Sequence, residues 1–279
     1  MSRPRQTFGR GGVNALSSSL TASAKSLGSF SLKMRHRAAL TTLLLLVFCH
    51  LAQAGDSDCV PSSSLPPVEI GQPPNVAGLK SQLRYYKCSG AYERDFSQVI
   101  DQAISYIVKR TEEIAKGNTG VKPAIVLDID ETSLSNWAEL QADDFAFILH
   151  GPCTLAKGDP CGDEAWEQRS EDTGLDTLRL FNKAKDLNVA VFFISGRAES
   201  VRKATEQNLS KAGYSGWIEI MLRPSKEGSV EQFKTAMRQK IEEEMHYTII
   251  ANVGDQYSDL RGGHAEQVFK VPNPFYFIP

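Results

Sequence analysis

The stretch Ala124-Ile125-Val126-Leu127-Asp128-Ile129-Asp130-Glu131-Thr132, introduced by Pro123, decides the fold. Its first four residues are too few and too uniformly apolar for a surface helix, and they read as a strand buried on both faces. Comparable runs recur at Val189 to Ile194 and Tyr247 to Val253, with an alternating one at Ile218, Ile220 and Leu222. Helical periodicity fills the intervals: Leu178, Phe181, Ala184 and Leu187; Val201, Ala204, Leu209 and Ala212; Val230, Phe233, Met237, Ile241 and Met245. Upstream, Phe96, Val99, Ile100, Ala103, Ile104, Ile107 and Ile114 form one stripe of a long helix from Tyr92 to Ala115, which Gly117-Asn118 ends. Alternating strand and helix predicts an α/β fold with a parallel sheet flanked by helices. Residues 131–173 break the alternation; loop-rich and carrying Trp137, Phe145, Phe147 and Trp166, they read as an insertion over one end of the sheet.

Ligands of such sheets sit outside the carboxyl ends of the strands. The first strand runs into Asp128-Ile129-Asp130, the second into Ser195-Gly196-Arg197 and the fourth into Gly254-Asp255-Gln256-Tyr257-Ser258-Asp259. Asp128, Asp130, Asp255 and Asp259 thereby converge at one sheet edge. Four carboxylates together repel one another, and the usual remedy is a hard divalent cation held by oxygen ligands. A single Asp here reads equally well as a helix cap, and Ser195 as the N-cap of a helix starting near Ala198. Other chemistries lack their residues. Gly262-Gly263-His264 is no phosphate-binding P-loop, there is no G-x-S-x-G or H-E-x-x-H, and His150, His246 and His264 are scattered.

Taken together, Leu127 to Asn136 (LDIDETSLSN), Phe192 to Arg197 (FFISGR), Asn252 to Leu260 (NVGDQYSDL) and the ending Val271 to Pro279 (VPNPFYFIP) resemble the haloacid dehalogenase superfamily. Within it they look like the secreted class B and class C acid phosphatases and plant vegetative storage proteins. The resemblance spans roughly residues 85–279. It implies a Rossmann-like sheet with a small cap insertion after the first catalytic strand, and hydrolysis of small phosphomonoesters with Mg2+ as cofactor. On that resemblance Asp128 is the nucleophile that forms an aspartyl-phosphate, and Asp130 is the acid and then the base. Asp128, the Asp130 backbone carbonyl, Asp255 and Asp259 make the metal site. Ser195 and Gly196 bind the phosphoryl group, together with a lysine for which Lys234 is preferred to Lys226. Arg197 and Arg238 add positive charge or serve structural ion pairs. A storage-type protein without turnover and a phosphotransferase share these residues; members of this branch act on nucleoside monophosphates and aryl phosphates.

The 279 residues are 41% hydrophobic and 23% charged, which excludes disorder as the main state. Residues 1–54 hold seven of the 31 Lys and Arg and no acid, leaving a charge of −9 on residues 55–279 and arguing against a nucleic-acid polymer as partner. Arg35-His36-Arg37, the apolar run Ala38 to Cys49 and Ala52-Gln53-Ala54 form a signal-peptide pattern, with cleavage expected near Ala54 and export to a periplasmic or extracellular space. Twelve residues rise about 18 Å as a helix, short of a membrane core of about 30 Å, so no stable anchor is expected. Cys59, Cys88, Cys153 and Cys161 then remain, an even number that suits two disulfides; three pairings are open, with Cys59 to Cys88 and Cys153 to Cys161 preferred because the second pair brackets a short Gly/Pro-rich loop. The expected organisation is a leader at 1–54, an extended mature N-terminus at 55–80 and one phosphatase-like domain at 81–279.

Overall fold

Successive residues of the central strand face opposite sides, and each side meets its own helices. Ile125 and Leu127 pack with Phe96, Ile100, Phe181 and Ala184, whereas Ala124 and Val126 pack with Met221, Ile241 and Phe233. The computed structural model describes residues 76–118, 120–146, 175–225 and 227–278. Within these the helices and strands follow in the order α1 (Val76–Cys88), α2 (Ala91–Gly117), β1 (Pro123–Leu127), α3 (Trp137–Ala142), α4 (Thr177–Asp186), β2 (Ala190–Ala198), α5 (Arg202–Lys211), β3 (Glu219–Arg223), α6 (Val230–Glu243), β4 (Thr248–Gly254), α7 (Tyr257–Leu260) and β5 (Gln267–Lys270). All four strand pairings are parallel, in the spatial order β3-β2-β1-β4-β5. The chain builds outward from β1 to β2 and β3, then crosses back to β4 on the other side of β1. That makes the gap between the ends of β1 and β4 the point where the strand order reverses, the usual ligand position in open α/β sheets.

Several boundaries differ from the sequence reading. Helix α1 begins at Val76, inside the stretch expected to be extended to residue 80. Strand β2 runs on through Ser195-Gly196-Arg197 to Ala198 and a 3-10 turn follows at Glu199–Val201, so Ser195 lies within a strand and caps no helix. Strand β3 does not alternate: Ile220, Met221 and Leu222 are all buried, because helices cover both of its faces, while Ile218 lies before the strand and is exposed. Strand β5 was not foreseen; of its two apolar residues only Phe269 is buried. The start of the insertion, up to Ala146, contains α3, and Trp137 packs against Phe145 and Phe275. The leader and its cleavage site, Cys59, Phe147, Cys153, Cys161, Trp166 and Lys226 lie outside the described residues.

Candidate active site

Asp128 follows the last residue of β1, and its backbone N–H donates to Val253 O at 3.0 Å, which sets it beside the end of β4. The chain then turns tightly: Thr132, Ser133 and Leu134 all donate to Ile129 O, and Ser133 Oγ donates to Asp128 O at 2.6 Å. Glu131 takes a left-handed conformation in this turn (φ 51°). Carboxylate oxygens of Asp128, Asp255 and Asp259 lie within 4.8 Å of one another, and all three residues are buried.

One cation lies among them. Lys234, from the buried face of α6, donates from Nζ to Asp128 Oδ1 at 2.5 Å and to Asp259 Oδ1 at 2.6 Å. Burial by itself would push this lysine down, but the two carboxylates outweigh it and raise the Lys234 pKa, so the ammonium stays charged. Three carboxyls against one ammonium still leave excess negative charge. Burial first, and the Asp259 charge second, push Asp128 well above the usual carboxylate range despite Lys234. The same two causes push Asp255 up to about 7, against hydrogen bonds from Asn273 and Gln256. A divalent cation would remove that excess, and the three carboxylates supply the all-oxygen donor set a hard cation requires. The triad of Asp128, Asp255 and Asp259 could hold a metal.

Asp130 is not in that triad. Its carboxylate accepts from Arg197 at Nε (3.0 and 3.2 Å) and Nη2 (2.7 Å), and from Asn136 Nδ2 at 2.9 Å. Burial would raise its pKa, yet Arg197 and Asn136 together hold it below the usual carboxylate range. Of the expected metal ligands, only Asp130 directs its side chain elsewhere. Ser195 is fully buried in the C-terminal half of β2, and its Oγ accepts from the Arg197 backbone N–H at 3.2 Å, which leaves its own proton to donate. A Cβ on Gly196 would meet Val230 at an ordinary 3.6 Å, so crowding by this chain does not require a glycine there. Arg238 serves structure: it donates to the carbonyls of Asp259 (2.6 Å), Gly263 (2.9 Å) and Arg261, fastening the loop behind α7.

Residues 68–279 match the family model described as HAD superfamily, subfamily IIIB (acid phosphatase). The chain belongs to this acid phosphatase family. It is 34% identical over 193 residues to "Stem 28 kDa glycoprotein" of Glycine max, covering 67% of this chain and 70% of that protein. With "Acid phosphatase 1" of Solanum lycopersicum it shares 30% identity over 203 residues, 70% of this chain and 73% of the relative. "Vegetative storage protein 1" of Arabidopsis thaliana is 28% identical over 198 residues, 70% of this chain and 68% of that one. The class C acid phosphatase from Bacillus anthracis has the same fold, with a TM-score of 0.55 at 22% identity over 71% of this chain and 86% of the other.

The supports of this candidate site were not legible as such. Thr132 Oγ1 donates to Asp255 Oδ1 at 3.1 Å; Gln256 Nε2 and Asn273 Nδ2 donate to Asp255 Oδ2 at 2.6 and 2.7 Å. Glu131 is buried, accepts from the Asn136 backbone N–H (2.5 Å), Asn136 Nδ2 (3.0 Å) and Tyr276 Oη (3.0 Å), and is pushed by burial up to about 7. Asn136 therefore ties Asp130 to Glu131. A Cβ on Gly254 would fall inside the van der Waals surface of the Asp259 side chain, so that glycine is what lets Asp259 fold back beside β4. Position alone, immediately after an apolar run, marked Gly254 for attention; Asn273 and Tyr276 were marked only as part of the ending Val271 to Pro279, without a role.

Proposed function

We propose that the protein is a Mg2+-dependent acid phosphatase that hydrolyses small phosphomonoesters through an aspartyl-phosphate on Asp128. The observation that carries this reading is the Asp128 carboxylate: it lies at the switch point of the sheet, beside Asp255 and Asp259, with its Oδ1 held by Lys234. Oδ2 is the atom left for attack on phosphorus, and Lys234 offers positive charge beside it for the phosphoryl oxygens. When bound, Mg2+ supplies electrostatic masking of the phosphate charge, held by Asp128 and Asp255, with Asp259 beside them. Ser195 has a free hydroxyl proton for the phosphoryl group. Asp130, kept ionised by Arg197, is prepared to take a proton from the hydrolytic water; to protonate the leaving oxygen first, it must loosen its hold on Arg197 and take up a proton from solvent.

The same reading takes residues 1–54 as a cleaved leader, 81–279 as the phosphatase domain with its insertion at about 131–173, and the mature protein as exported. Two observations support export: Cys88 is disulfide-bonded, and a relative is named a glycoprotein. The test is a panel of phosphomonoesters, nucleoside monophosphates included, assayed with mature protein, in chelator and with Mg2+ restored. Asp128→Asn keeps the shape and removes the nucleophile, so turnover is expected to vanish. Residual activity within about tenfold of wild type, some 1.4 kcal/mol, would exclude Asp128 as nucleophile. Wild-type protein inert toward every ester would leave a storage role.

A further inference from the structure

After β5 the chain returns across the site. Asn273 Nδ2 donates to Asp255 Oδ2, while its Oδ1 accepts the Phe275 backbone N–H at 2.9 Å. Phe275 is buried, packed between Tyr92 (5.2 Å between ring centroids) and Trp137 (5.1 Å). The next residue, Tyr276, reaches Glu131, and Gln256 accepts from the Ile278 backbone N–H. This strap is thus anchored by one aromatic plug, Phe275 between α2 and α3, and touches the site at Asp255. Each bond there limits how the carboxylate turns: Thr132 holds Oδ1, and Asn273 with Gln256 holds Oδ2.

We infer that Asn273 is a positioning residue for the metal, presenting Asp255 in the orientation that binds a divalent cation. The inference rests on the metal site proposed above. An amide suits the task because it donates to the carboxylate without adding charge, and its oxygen simultaneously fixes the turn that carries Phe275. Partners of metal-binding carboxylates that do not touch the metal govern affinity through such orientation.

The experiment measures Mg2+ affinity by calorimetry on chelator-stripped full-length mature protein, with melting temperature in chelator recorded alongside. Asn273→Ser keeps an oxygen for the Phe275 N–H but cannot reach Asp255; Asn273→Gln keeps the amide. The serine variant should bind Mg2+ roughly 10–100-fold more weakly, with its metal-free melting temperature close to wild type. The glutamine variant should recover at least part of that loss. Serine-variant affinity within about twofold of wild type overturns the inference. So does a serine variant that fails to fold, because Asn273 then serves the turn, and so do serine and glutamine variants equally weak. Wild-type protein that binds no Mg2+ refutes the metal site itself, a separate failure.

Discussion

Lys234 is held by two carboxylates in a buried site, and that fixes what its removal must do. Lys234→Met leaves Asp128 and Asp259 without their shared cation, and breaking a buried pair by deleting one partner costs ~3–5 kcal/mol. Urea unfolding in chelator should show that loss, and saturating Mg2+ should return part of it; a change under about 1 kcal/mol would contradict the assigned charge balance. Asp130 carries a second expectation. Asp130→Asn should slow an alkyl phosphate far more than p-nitrophenyl phosphate, whose good leaving group needs little protonation, and equal losses would remove the acid role. The residues on which these rest were legible to different degrees. Asp128, Asp255 and Asp259 were found because each follows a buried apolar run, and Lys234 from a resemblance. The bond between Arg197 and Asp130 spans 67 residues and depends on which way two side chains turn at neighbouring strand ends, which spacing cannot express.

At the scale of elements, the turn from β4 into α7 sets the position of two of the three carboxylates. Asp259 Oδ2 accepts the Gln256 backbone N–H at 2.7 Å, and Asn252 Nδ2 and Arg238 both donate to Asp259 O. Gly254→Ala would drive a methyl into Asp259 and force this turn open. Overpacking of this kind costs roughly 1–3 kcal/mol, and Mg2+ affinity should fall with it. Thermal melts with a Mg2+ titration check both; affinity within twofold of wild type would show that the turn relaxes without moving Asp259. The strands that carry the site were readable because β1, β2 and β4 are buried on both faces and therefore begin as largely apolar runs. Strand β5 escaped notice for the complementary reason: at the sheet's edge, Gln267-Val268-Phe269-Lys270 buries only Phe269. Helix α1 likewise begins at Val76, within the stretch to residue 80 expected to be extended.

Across the whole molecule, stability in the absence of metal should depend on pH in a defined sense. Glu131 and Asp255 both have folded pKa values raised to about 7, from ordinary values of 4.5 and 3.8. Raised carboxyls contribute stability that is complete below their unfolded values and is lost as pH rises through about 7. Groups shifted the other way, such as Glu199 and Glu266, exert their effect below this window. In chelator the melting temperature should therefore be higher at pH 5 than at pH 7.5, and Glu131→Gln should reduce the difference. A flat or rising melting temperature between these values would refute the shifts. The sheet order has one more consequence, for timing. Strand β1 pairs with β4, Pro123 lying beside Thr248, and Asp255 reaches Asp128 only through that pairing. Contacts so distant in sequence form late. A folding chain whose β1 has not yet met β4 holds Asp128 but not its two partner carboxylates, so the cluster appears only with the pairing that joins the two halves of the sheet.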